Sequence, residues 1–298
     1  MFENVFDLSP LIDVADWRVA SYLVLAAVIL LFAKILNQIF AGYSLNNQLT
    51  KQDNKAVAVS FAGFLFALYI VIHGILTTPA NIHLLRSGGS PWLLDLASTT
   101  VWSTIACILL LLARVINDKV IFPKFSNKKE LITDQNIGMG ATQAGSYIAT
   151  ALVIRAVLGD GGSVSFLPEV GTVILWFVTT QLLLLVFCFA YQKCTNFDLH
   201  KEIERDNPAA GVAVGGNLIA FGLLLEFFVQ RYDSLAALVI WGIAIAILLI
   251  ITRMIVDKLL LSGSRLDEEI RKDQNWGAAL IEVSTAIGVS LLIQGAFF

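Results

Sequence analysis

The chain has 298 residues, 57% of them hydrophobic and only 14% charged, with a mean hydropathy of +0.77. A soluble domain needs a charged surface that this composition cannot supply, so a water-soluble globule is excluded. The formal charge of −3 gives no reason to expect a nucleic-acid partner, and the distribution of charge says more than its sum.

Residues 1–16 carry Glu3, Asp7, Asp13 and Asp16 where a cleavable signal needs a basic segment. The first apolar stretch is therefore expected to stay as an anchor. Eight stretches are long enough to cross a bilayer, given about 20 residues at about 1.5 Å each. They run 17–40, 56–76, 93–116, 139–158, 170–191, 209–229, 235–256 and 276–298. A backbone in lipid must satisfy its own hydrogen bonds, and no alternating barrel pattern is present, so all eight are predicted helices. Cys107, Cys188 and Cys194 lie in or at the ends of these helices and read as small apolar fillers, with no disulfide framework or metal site.

The even-numbered spans are copies of one another. Asn54, Asn136, Asn207 and Asn275 each follow an acidic or amide residue (Asp53, Gln135, Asp206, Gln274) and open a run rich in Ala and Gly. Nineteen residues beyond each Asn, without a gap, stand His73, Arg155, Glu226 and Gln294. Such a period defines the architecture: four repeated hairpins. Repeats two and four share Asp-Gln-Asn, repeats one and three Asp-Asn, which implies a doubled two-hairpin unit with halves 1–160 and 161–298. The seam is the flexible turn Gly159-Asp160-Gly161-Gly162-Ser163.

Charge sets the orientation. Loops 41–53, 117–134, 192–206 and 257–273 hold twelve Lys and Arg, against Arg18, Arg86 and Arg231 in the termini and other loops. The positive-inside bias places the basic loops in the cytoplasm and both termini in the periplasm. All hairpins then run in one direction, as parallel repeats about an axis along the membrane normal. Lys34, Arg114 and Arg253 recur near the cytoplasmic ends of the first, third and seventh spans, with Tyr191 in that place in the fifth, and read as snorkelling side chains. Leu199/Ile203 and Leu266/Ile270 mark short amphipathic turns on the membrane surface, or docking points for a cytosolic partner.

An acidic stretch followed by Asn and an Ala/Gly-rich helix is carried by Glu202-Ile203-Glu204-Arg205-Asp206-Asn207-Pro208-Ala209-Ala210 and by Glu268-Glu269-Ile270-Arg271-Lys272-Asp273-Gln274-Asn275. It resembles the YjfL-like family of bacterial inner-membrane proteins (domain of unknown function 350). Repeat one departs from the pattern, with Gln48-Leu49 in place of an acid. Many relatives look like one half of this chain, so it resembles a double-length member. The resemblance implies a bacterial inner-membrane location and no known activity.

Three groups of polar residues are candidates for function. Asn54, Asn136, Asn207 and Asn275 suit helix N-caps, with Pro208 at the favoured first helical position; the alternative is anion binding at the helix N-termini. His73, Arg155, Glu226 and Gln294, roughly 28 Å from the caps, suit an outer polar ring in which Arg155 pairs with Glu226, bridged by His73 and Gln294; the alternative is snorkelling. Deeper lie Asn217, Glu282 and, at the Glu282 position of repeat two, Gln143. They suit a buried network in which a protonated Glu282 bonds Asn217 or Gln143.

Small residues at intervals of four, such as Gly63, Gly145, Gly211 and Gly215, allow close backbone approach and place the even spans inside. Gly211–Gly216 aligns with plain helix in the other repeats, which excludes a phosphate loop or an ion filter. His73, His83 and His200 fit no metal spacing, and no cofactor motif or nucleophile–base pair is present, so no enzyme is expected. The expected fold is all-α and integral to the membrane, with eight helices in four pseudo-repeated hairpins. The expected function is permeation of ions or small solutes along the even helices. The alternative is a non-conducting scaffold in envelope maintenance that recruits membrane or cytosolic partners or assembles with itself.

Overall fold

A computed structural model describes residues 17–77, 91–116, 119, 127–158, 166–232, 234–261 and 263–297. The acidic N-terminal stretch, His83 and the Gly159–Ser163 seam lie outside the described residues. Among the described residues, eight long helices are apolar enough to span a membrane. They are α1 (Trp17–Ala41), α3 (Lys55–Thr77), α4 (Pro91–Ile116), α6 (Ile137–Leu158), α7 (Phe166–Cys194), α9 (Pro208–Arg231), α10 (Leu235–Ile255) and α12 (Trp276–Ala296). Before each even-numbered span comes a six-residue helix: α2 (Leu45–Thr50), α5 (Asn127–Ile132), α8 (Leu199–Glu204) and α11 (Leu266–Arg271). A π-helical turn, Val256–Leu260, extends α10.

The even spans pack side by side in one row, α3–α6–α9–α12. Backbone contact holds the row together. A Cβ built on Gly145 would overlap the Gly215 main chain, one on Gly211 the Gly138 main chain, and one on Gly63 Ala144. Lipid supplies no hydrophobic drive between helices, so this surface match is the main attraction available. The inner places belong to α6 and α9, and the end helices α3 and α12 are covered on fewer sides. The odd spans form a second layer. α4, α7 and α10 sit in the grooves between neighbouring even helices, and α1 packs on α4, where Trp92 Nε1 donates to Ser21 Oγ (3.1 Å). The outward faces of this layer carry bulky apolar residues such as Leu182, Val186 and Phe189.

The short helices do more than lie on a surface. Leu199 and Ile203 of α8, and Leu266 and Ile270 of α11, are buried against the ends of the long helices. Their apolar side chains continue the core of the row.

Candidate functional site

The repeated Asn residues make the same joint four times. Each side-chain oxygen caps its helix: Asn54 accepts from the Val57 N–H (3.1 Å), Asn136 from Met139 (2.9 Å), Asn207 from Ala210 (3.2 Å) and Asn275 from Ala278 (3.2 Å). Each Nδ2 donates to an acceptor on the preceding short helix: Gln48 (2.8 Å), Glu130 (3.0 Å), Glu202 (3.2 Å) and Glu269 (2.8 Å). Gln48 thus serves with an amide oxygen where the other repeats use a carboxylate. In three repeats the same Nδ2 also reaches a main-chain oxygen of the next repeat's short helix. Asn54 donates to Leu131 (2.8 Å), Asn136 to Ile203, and Asn207 to Ile270 (2.8 Å). The residue before each Asn holds a left-handed backbone, with φ of 48° at Asp53, 51° at Gln135, 58° at Asp206 and 48° at Gln274. This strained turn swings the Asn back under its own short helix.

These joints differ in electrostatics. Glu130 is buried, and desolvation raises its pKa against the opposing hydrogen bond from Asn136. Glu269 is only half-buried, and hydrogen bonds from Ser264 and Asn275 lower its pKa.

The deepest carboxylate is the centre of a second cluster. Glu282 of α12 is 1% exposed and accepts from Tyr191 Oη of α7 (2.8 Å), Asn217 Nδ2 of α9 (2.9 Å) and Arg253 Nη1 of α10 (2.6 Å). The other guanidinium nitrogen pairs with Asp267 of α11, and the Arg253 guanidinium stands over the Tyr191 ring at 5.2 Å. Asp267 also accepts from the main-chain and side-chain nitrogens of Asn196, at 3.0 and 2.7 Å. One ionic cluster thus ties five helices together.

Two sequence expectations need correction here. Glu282 is not an isolated acid: it is salt-bridged, with Asn217 as one partner, whereas Gln143 lies on α6 and accepts from Ser60 Oγ of α3 (2.7 Å). Arg253 does not snorkel: it is 5% exposed, turned inward by two carboxylates. Arg114 is also buried, with Tyr43 beneath its guanidinium at 5.9 Å.

At the far end of the row Arg155 Nε donates to Glu226 Oε1 (2.5 Å), and Gln294 donates to the Leu223 carbonyl (2.9 Å). His73 is exposed on α3. The four equivalent positions therefore make no closed ring, because the row is open and puts α3 and α12 at opposite ends. Arg155 and Glu226 meet because α6 and α9 are neighbours.

The family described as Domain of Unknown Function (DUF350) matches residues 8–158 and again residues 165–297. The chain belongs to this family. Among similar proteins, a UPF0719 transmembrane protein of Aquifex aeolicus (strain VF5) is 26% identical over 198 residues, covering 64% of this chain and 70% of the relative. The UPF0719 transmembrane protein YshE of Bacillus subtilis (strain 168) is 23% identical over 118 residues, covering 40% of this chain and 87% of the relative. No solved structure matches the chain. In this DUF350 protein the two matched segments are not equivalent inside. The second holds the Glu282 cluster, whereas the first has Gln143 at the same repeat position.

Sequence reasoning missed three members of that cluster: Tyr191, Arg253 and Asp267. A signal was available. Glu282 and Arg253 are opposite charges within apolar runs, and elimination points each to the other.

Proposed function

We propose that this DUF350 protein is a non-conducting scaffold of the bacterial cytoplasmic membrane. Both termini lie on the periplasmic side, and the basic loops with their short helices meet cytosolic or membrane partners. The observation that carries this reading is the solid contact along the row of even helices. Between α6 and α9, glycine meets main chain at Gly138, Gly145, Gly211 and Gly215, which leaves no room for a solute. Ala144 closes on Gly63 and Val283 on Gly216, so the neighbouring seams are filled as well. The excess of Lys and Arg in the loops that carry the short helices supports the orientation.

Permeation is the second reading, and the buried Glu282 cluster favours it, since charged residues inside a membrane often mark ion pathways. Against it, Ser290, beyond Glu282 on α12, gives its hydroxyl to the carbonyls of Ala220 (3.2 Å) and Ala286 (2.8 Å). That bonding completes helix packing without continuing a polar path. Purified protein in sealed vesicles tests the choice. Fluxes of K+, Na+, Cl− and H+ equal to those of empty vesicles support the scaffold. A flux that Glu282→Gln abolishes overturns it.

A further inference from the structure

The row of even helices has two unlike ends. Within the chain one junction is built three times. The residue nine past the capping Asn of one helix closes on the residue eight past the Asn of the next: Gly63 on Ala144, Gly145 on Gly215, Gly216 on Val283. The cap amide crosses each junction to a main-chain oxygen of the following repeat, at Leu131, Ile203 and Ile270. The contact joins a forward face to a different, backward face, and such heterologous contacts propagate until something closes or caps them.

Neither end is capped among the described residues. On α12 the forward face presents exposed Ser284 at the ninth position, and a Cβ on Gly288 would meet nothing within 4 Å. Asn275 is exposed and bonds its own helix and Glu269, with no following short helix against it. On α3 the backward face presents Ala58 and Ala62, both exposed. They stand where α6 has Gly140 and Ala144, and where α9 has Gly211 and Gly215. The Leu49 carbonyl, equivalent to those of Leu131 and Ile270, accepts no hydrogen bond among the described residues. One end offers a small-residue face and an amide donor, and the other a small-residue face and a carbonyl acceptor.

We propose that a second copy of this chain docks head to tail on the first. Its α3 continues the row beyond α12 with Ala62 facing Ser284, whose Cβ stands where the three internal junctions have glycine and so holds this pair of helices farther apart, and Asn275 donates to the Leu49 carbonyl of the neighbour. All repeats share one direction, so the added copy keeps the same orientation in the membrane. This assembly does not depend on the scaffold reading.

Disulfide trapping tests it. Ala62→Cys and Ser284→Cys are combined in a Cys194→Ser background and oxidised in native membranes. Two helices separate α3 from α12 within a chain, so a 62–284 disulfide must join two copies. The expected result is a ladder of dimers, trimers and larger species on a non-reducing gel, with an Ala220→Cys/Ser290→Cys pair as the intrachain control. Each single cysteine should give no ladder, and a strong dimer from Ser284→Cys alone would mean a face-to-face contact and would overturn the proposal. So would a monomer from the double variant while the control pair oxidises. Ala62→Trp, at a site exposed in the single chain, should fold normally and shift the protein from oligomer to monomer in mass photometry. An unchanged oligomer with Ala62→Trp refutes the docking surface.

Discussion

Removing Arg253 should harm the protein more than removing Glu282, although the two form one salt bridge. Breaking a buried pair typically costs about 3–5 kcal/mol, because the surviving charge loses its partner in a medium that solvates it poorly. The two survivors are not alike here. After Glu282→Gln, Arg253 still pairs with Asp267 and stands on the Tyr191 ring. The glutamine oxygen can still accept from Asn217 or Tyr191. The cost should fall to about 2 kcal/mol, below the usual range. After Arg253→Met, two carboxylates remain. Glu282 keeps only two neutral donors, and Asp267 keeps Asn196. That loss should reach about 4–5 kcal/mol. The Arg253→Met/Glu282→Gln double variant should be more stable than Arg253→Met alone, with a coupling of about 1–3 kcal/mol. Unfolding in mixed micelles, or steric trapping in bicelles, measures all four corners of the cycle. Equal single costs, or additive ones, would refute the cluster as an ionic unit.

Other expectations follow from the packing. Gly215→Leu would drive a side chain into the Ala141 carbonyl and should abolish folding, whereas Leu182→Ala, at a residue 58% exposed, should be nearly silent by thermal unfolding in detergent. Asn207→Ala removes a cap and a bridge to Ile270 and should cost about 2–3 kcal/mol, against about 1 kcal/mol for exposed Asn275→Ala, in the same unfolding assay. A C-terminal alkaline phosphatase fusion should be active and a C-terminal GFP fusion dark; the reverse pattern defeats the proposed orientation.

Much of the fold was legible because its signals are local. Eight apolar runs define eight helices, and the Asn residues at matching offsets mark the caps of the even spans. Spacing of small residues identified the faces that meet, including Gly145 and Gly215. The ring at the far end was not legible. Repeat equivalence puts His73, Arg155, Glu226 and Gln294 at one height but leaves open whether the helices close into a circle or lie in a row. The second donation, made by Asn54, Asn136 and Asn207, was hidden for another reason: its acceptors are main-chain oxygens, which leave no mark in a sequence. Arg253 misled because a basic residue at a helix end usually reaches outward, and only the fold brings it to Glu282 and Asp267.

The open, filled row of even helices is the claim on which the scaffold reading stands. A pulsed electron–electron distance between spin labels at Tyr69→Cys on α3 and Leu292→Cys on α12 tests it directly. Excess unlabelled protein should be present, so that neighbouring copies do not contribute. Three helix spacings of about 8–10 Å predict a separation of roughly 24–30 Å, lengthened by the outward labels. A main distance near one spacing, about 10 Å, would mean that α3 and α12 are neighbours in a closed ring, and would contradict the row.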